Sequence, residues 1–171
     1  MADSAKIVKP AMIATLTLNV TRGVTAGWIA GIPQVLAAQA VAHLLGIRER
    51  ADIGPRFVRR AAEHAGRPLS TPMHWLLGGV FHFEYAAGWG AAYALAVEPL
   101  DACRVPPLLG GALLGGAIYA TAFSPLGAAT RTGAEREVEQ RSAGETLVHG
   151  ASALSFALVA SCTYRWLRER W

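Results

Sequence analysis

The chain has 171 residues, 53% of them hydrophobic and only 16% charged, with a formal net charge of +4 at pH 7. Soluble domains carry about 25% charged residues, so this balance argues against a water-exposed globule. Nor does the positive charge mark a nucleic-acid binder: the arginines occupy loops and the C-terminal end, and no basic helix face is interleaved with aromatics.

Residues 1–21 form an N-terminal segment whose stretch "IVKPAMIATLTLNVT" is apolar and threonine-rich. It predicts a pre-helix at the membrane interface. It lacks a signal peptide's basic start, apolar core and small-residue cleavage site, and is expected to stay in the mature protein. Four runs with at most one formal charge follow, at about 23–47, 71–97, 105–130 and 146–164. Each approaches or exceeds the roughly 20 apolar residues that a spanning helix needs. They predict one all-α domain, an integral membrane four-helix bundle with glycine-rich helix contacts. Pro33 removes a backbone donor inside the first span and should kink it.

The segment at about 48–70 separates the first two spans. Pro55 suits the first turn of a short helix. From there Phe57, Val58, Ala61, Ala62 and Ala65 share one face, with Arg56, Arg59, Arg60 and Glu63 elsewhere. Two readings stay open, an amphipathic helix on the bilayer surface and a solvated loop helix. The later segment "RTGAEREVEQRSAGE" mixes charges and predicts a solvated loop. Cys103 and Cys162 fit neither a disulfide framework nor a zinc spacing. Both are expected to be free thiols.

Glycines are spaced as helix-packing ridges. Gly23, Gly27 and Gly31 stand four apart in the first span, and Gly111 and Gly115 repeat the spacing in the third. Small residues at i and i+4 let another backbone approach closely, so the two stripes are expected to bring the first and third spans together. Gly27 and Gly115 should then lie in helix contacts.

Ionisable groups inside a bilayer are costly and are functional candidates. His82, Glu84 and Tyr93 lie on the second span, and Glu145 and His149 stand four apart at the start of the fourth. Helix polarity puts His82 and His149 in the same leaflet. With Glu145 they can be read as a cluster that relays protons or binds metal or haem, or as interfacial caps and interhelical hydrogen bonds. Glu84 should not face hydrocarbon as a bare carboxylate. No serine or cysteine elbow, phosphate loop or paired-carboxylate arrangement supports hydrolase chemistry.

The stretches "HFEYAAGWGAAYALAVEP", "LLGGALLGGAIYATAFSPLG", "ETLVHG" and "RGVTAGWIAG" resemble the YagU-like bacterial inner-membrane proteins. The shared features include a histidine followed eleven positions later by tyrosine (His82, Tyr93) and the Glu145–His149 pair opening the last span. The likeness runs from about residue 22 to residue 168 and departs from the family in the arginine-rich segment 48–67. It implies a multi-pass inner-membrane protein without an assigned reaction, its termini in the cytoplasm. Charge alone hardly decides this: the terminal face carries seven basic residues and the opposite face nine.

The expected function is therefore that of a small non-enzymatic membrane protein, self-associating or an accessory subunit of a larger complex. Its partners are the lipid bilayer and other membrane subunits, with no nucleic acid, cofactor or metal. Two alternatives stand beside it: passage of protons or small solutes past His82, Glu84, Tyr93, Glu145 and His149, and a haem- or metal-binding membrane subunit.

Overall fold

A computed structural model describes residues 10–47, 53–101 and 105–171. The expectations for residues 1–9, for Arg48 and Arg50, and for Cys103 and Arg104 lie outside them. The described residues are helical: α1 (Pro10–Leu44), α2 (Ile53–His64), α3 (Thr71–Asp101), α4 (Pro107–Phe123), α5 (Ala128–Arg131), a 3-10 turn (Val138–Gln140) and α6 (Ala143–Arg170). Three stretches are long and apolar enough to cross a membrane, Met12–Leu44, Pro107–Arg131 and Ala143–Arg170. α3 is 31 residues long but is not among them.

Several boundaries differ from those read in the sequence. The pre-helix and the first span are one helix of 35 residues, about 52 Å long at 1.5 Å per residue. Its threonines do not interrupt it, because the hydroxyls of Thr17, Thr21 and Thr25 donate to carbonyls four residues back at 2.9–3.0 Å. Arg22 consequently sits inside α1 rather than ahead of it. The helix closes at Gly46, whose φ of 66° suits a residue without a side chain. The apolar run 105–130 does not form one helix. Ser124 precedes Pro125 and is held extended (ψ 170°), which ends α4 at Phe123. α6 opens with a capping box in which Ser142 and Glu145 each satisfy the other's backbone N–H.

The long helices pack in the order α3, α1, α6, α4, with α2 lying on α3. About half of the shared core is alanine, Ala26, Ala30, Ala86, Ala94, Ala153, Ala157 and Ala160, set among Tyr93, Leu114, Ile118, Phe156, Tyr164 and Leu167. Where only small residues lie between helices, backbones come together. A Cβ placed on Gly23 would stand 2.5 Å from the Gly90 carbonyl oxygen, and one on Gly27 would overlap the Ala86 carbonyl. The α4 stripe packs on α6: a Cβ on Gly111 would lie 2.7 Å from Ser161 Oγ, and one on Gly115 3.4 Å from Ala157 Cβ. Both stripes therefore lie in helix contacts, but against α3 and α6 and not against each other.

Candidate functional site

Ionisable side chains gather at the two ends of the helices. At the end away from the termini, the connection between α4 and α6 folds back over the bundle instead of standing in solvent. Arg141 ties it down, donating to the Phe123 carbonyl, to Thr130 Oγ1 (2.6 Å) and to the Arg136 carbonyl (2.7 and 2.9 Å). Ala129, Ala134 and Glu135 are buried as a result, so the segment predicted to be a solvated loop carries a buried carboxylate.

That carboxylate is fully engaged. Glu135 Oε2 accepts from His149 Nε2 at 3.2 Å and from Arg56 Nη2 at 3.3 Å, and Oε1 accepts from the Arg136 backbone N–H at 3.0 Å. Burial pushes the Glu135 carboxyl up. The hydrogen bonds from His149 and the Arg136 N–H, with the charges of His149 and Arg56, outweigh burial and hold it down from 4.5 to about 2. The His149 ring lies flat on Phe123, with centroids 4.4 Å apart and planes 4° apart. Beside Glu135 opens a cavity of about 240 Å³ lined by Arg56, Arg59, Arg60 and Arg136.

At the other end, Glu98 of α3 accepts from Tyr164 (2.6 Å) and from Arg168 (2.8 Å) of α6. Arg22 is buried on α1 beneath them and donates to Asn19 Oδ1 at 3.0 Å. Its Nε has no hydrogen-bond partner among the described residues. Between the two ends the interior holds alanines with Tyr93, Leu114, Ile118 and Phe156.

Of the two readings of His82, Glu145 and His149, the shared cluster is not assembled, and His82 and Glu145 follow the other, as an interhelical hydrogen bond and a helix cap. His82 Nε2 donates to the Gly31 carbonyl of α1 at 3.0 Å. Glu145 caps α6 and meets Arg136 at 3.4 Å, while His149 turns to Glu135. Tyr93 is buried, edge-on to Tyr164, with its hydroxyl over Gly110. Glu84 is exposed on the outer side of α3, at the edge of a groove lined by Trp28, Trp75, Leu76, Gly79, Val80 and Phe83. Among the described residues no three His, Cys, Asp or Glu side chains come together to hold a metal ion.

Sequence reading missed Arg22, Arg56, Glu98, Glu135 and Tyr164. Glu98 and Tyr164 lie at the ends of apolar runs, where polar residues are ordinary. Glu135 carries no periodic signal within a loop of mixed charge. Comparison with family models, with curated proteins and with solved structures finds no match.

Proposed function

We propose that the chain is a non-enzymatic integral membrane protein of four crossing helices, a subunit that associates with itself or with another membrane protein inside the bilayer. One observation carries this reading. Small residues close the interior, while large apolar side chains point outward from every long helix. Leu36 on α1, Leu76 on α3, Leu113 on α4 and Leu147 on α6 are each 59–67% exposed. Faces of that kind belong against lipid or another apolar surface.

α3 fits as a crossing helix because much of its polarity is turned inward; Glu84 is the exception, exposed on the outer face against the expectation for it. His82 bonds to α1, and Tyr93 and Glu98 meet α6. It also follows α1 closely along the Gly23–Gly90 and Gly27–Ala86 contacts. On this reading α2, whose Phe57 ring stacks on Phe81 of α3 at 4.7 Å, lies at the bilayer surface. The chain then belongs beside the YagU-like inner-membrane proteins that it resembles, with both termini in the cytoplasm.

The buried ionisable groups favour passage of protons or solutes as a second reading, against which the alanine-filled middle weighs. Haem or metal binding has less support, since His82 and His149 take separate partners.

The test is biochemical. Membranes from expressing cells are washed at alkaline pH and solubilised in mild detergent, and the mass and companions of the purified protein are measured. The expected outcome is retention in the washed membrane and a particle larger than one copy. Release into the wash, or a lone copy in every detergent, sinks the proposal. A Soret band, or proton flux into liposomes that Glu84→Gln abolishes, would put an alternative ahead. Orientation is read by impermeant thiol labelling of Ala2→Cys and Ala65→Cys, with Cys103 and Cys162 replaced by Ser. Residue 65 should react in intact cells and residue 2 only after they are opened.

A further inference from the structure

The cavity beside Glu135 joins two segments far apart in sequence. Arg56, Arg59 and Arg60 come from α2, and Arg136 comes from the α4–α6 connection. Four guanidinium groups thus share a space of about 240 Å³ with one lining carboxylate. Glu135 pairs with Arg56 and His149, and Arg136 pairs with Glu145 at 3.4 Å, so the charge on offer to a ligand is chiefly that of Arg59 and Arg60.

Arg59 and Arg60 have one carboxylate between them, Glu63, at 3.8 and 3.1 Å. Those groups are 40–46% exposed, and exposed pairs within one helix hold weakly. The wall therefore carries an excess of positive charge in a form suited to one ligand class. Guanidinium groups bind phosphate oxygens in two-pronged fashion, and a ring of them stabilises a phosphate monoester or diester.

The geometry points to an anion-binding site for a phosphate group, held by Arg59 and Arg60 with Arg56 and Arg136 completing the wall. A lipid phosphodiester is one source. That source rests on the membrane reading, which lays α2 at headgroup depth, where basic pockets take anionic lipids. Free phosphate is the other, and it needs no membrane. The part played by Glu63 follows: it occupies Arg59 and Arg60 when the site is empty and competes with the ligand.

Purified protein in a neutral detergent is the material for the test. Retention of phosphatidylglycerol against phosphatidylcholine is followed by native mass spectrometry, and protection by inorganic phosphate against chloride by thermal unfolding. Arg59→Gln with Arg60→Gln should weaken anion binding at least tenfold. Neither residue supports the buried Glu135.

Glu63→Gln should strengthen binding severalfold, a gain that a damaged fold cannot imitate. Selective phosphatidylglycerol retention that phosphate fails to displace assigns the site to a lipid headgroup. Equal protection by inorganic phosphate alone assigns it to a free phosphate compound. The phosphate arm reads the site even if the alkaline wash removes the chain from membranes. Binding of neither anion, or binding indifferent to both sets of substitutions, overturns the site.

Discussion

The α1–α3 and α4–α6 contacts use the same sequence device, glycines four apart, yet they are built differently. Along α1–α3 the opposing surface is backbone, with Gly23 on the Gly90 carbonyl and Gly27 on the Ala86 carbonyl. Along α4–α6 the nearest obstacle to Gly111 is a side chain, Ser161 Oγ at 2.7 Å, with the Ala157 carbonyl oxygen farther off at 3.1 Å, and Gly115 has nothing nearer than 3.4 Å. A carbonyl fixed in its own helix cannot move aside, whereas a hydroxyl can turn or be removed. A stripe of small residues marks a close approach but does not say how strict that approach is.

The largest expected effect tests the strict contact. Gly27→Leu forces a branched side chain into the Ala86 carbonyl. Overpacking commonly costs 1–3 kcal/mol, and about the upper end or more is expected where backbone is the obstacle. Little folded protein should survive detergent extraction, as read by size-exclusion chromatography. Gly90→Ala, one methyl group aimed at the Gly23 carbonyl, should be nearly as damaging. A wild-type elution profile and melting temperature for both would show that α1 and α3 do not approach as described.

Acid should separate the two contacts next. The α4–α6 end is closed by ionised Glu135, whereas α1–α3 is closed by close backbone contacts and the His82–Gly31 hydrogen bond, with no carboxylate in it. The folded-state pKa of Glu135 is depressed from 4.5 to about 2, so its contribution is complete above pH 4.5 and is lost as pH falls towards 2. Between pH 5 and pH 2, protection against hydrogen exchange, taken relative to the intrinsic rate at each pH, should therefore be lost first in residues 128–149, with the middle of α1 and α3 protected longer. Glu135→Gln should show the looser connection already at neutral pH. Exchange that rises uniformly along the chain would remove the distinction between the two ends.

A smaller effect belongs to Gly111. An alanine there meets Ser161 Oγ at 2.7 Å and the Ala157 carbonyl oxygen at 3.1 Å, and the expected cost is about 1–2 kcal/mol. Because the nearest obstacle is a side-chain oxygen, Ser161→Ala should recover most of the loss. Failure of that rescue, measured as a double-mutant cycle in melting temperature, would place the obstruction in the backbone and make the two contacts alike.

The helices were legible because uncharged runs are long and have few other uses, and the stripes because glycine is expensive inside a helix. What the stripes touch was not legible. Glycine records that something comes close and leaves no trace of its partner, so the expected pairing of the first and third spans was mistaken. Arg22 stands between the N-terminal segment and the uncharged run 23–47, where charge alone places it outside the span, whereas threonines that bond to their own helix carry α1 past it. Glu135 and Arg56 were invisible for a related reason. Charge in a loop looks solvated until the fold shows which residue the connection turns inward. Glu145 and His149 have the correct spacing to meet, and each has a better partner on another segment.

The smallest effect is the most discriminating. Gly115 belongs to the same stripe as Gly111, but a Cβ there would find its nearest neighbours, the Ala153 carbonyl oxygen, Ala157 Cβ and Leu154 Cα, at 3.4 Å. That is ordinary contact needing at most a few tenths of an ångström of adjustment. Alanine also restricts the unfolded chain and favours a helix over glycine by about 1 kcal/mol. The two terms nearly cancel or leave a small gain. Gly115→Ala should therefore melt within a degree or two of the wild type, or slightly above it, on the scale of about 2–4 °C per kcal/mol. Gly115→Leu should still destabilise, since the added branches must enter the α6 surface. Should Gly115→Ala unfold the protein as readily as Gly90→Ala, α4 and α6 lie closer than described, and the contrast between backbone and side-chain contacts fails where it is most sensitive.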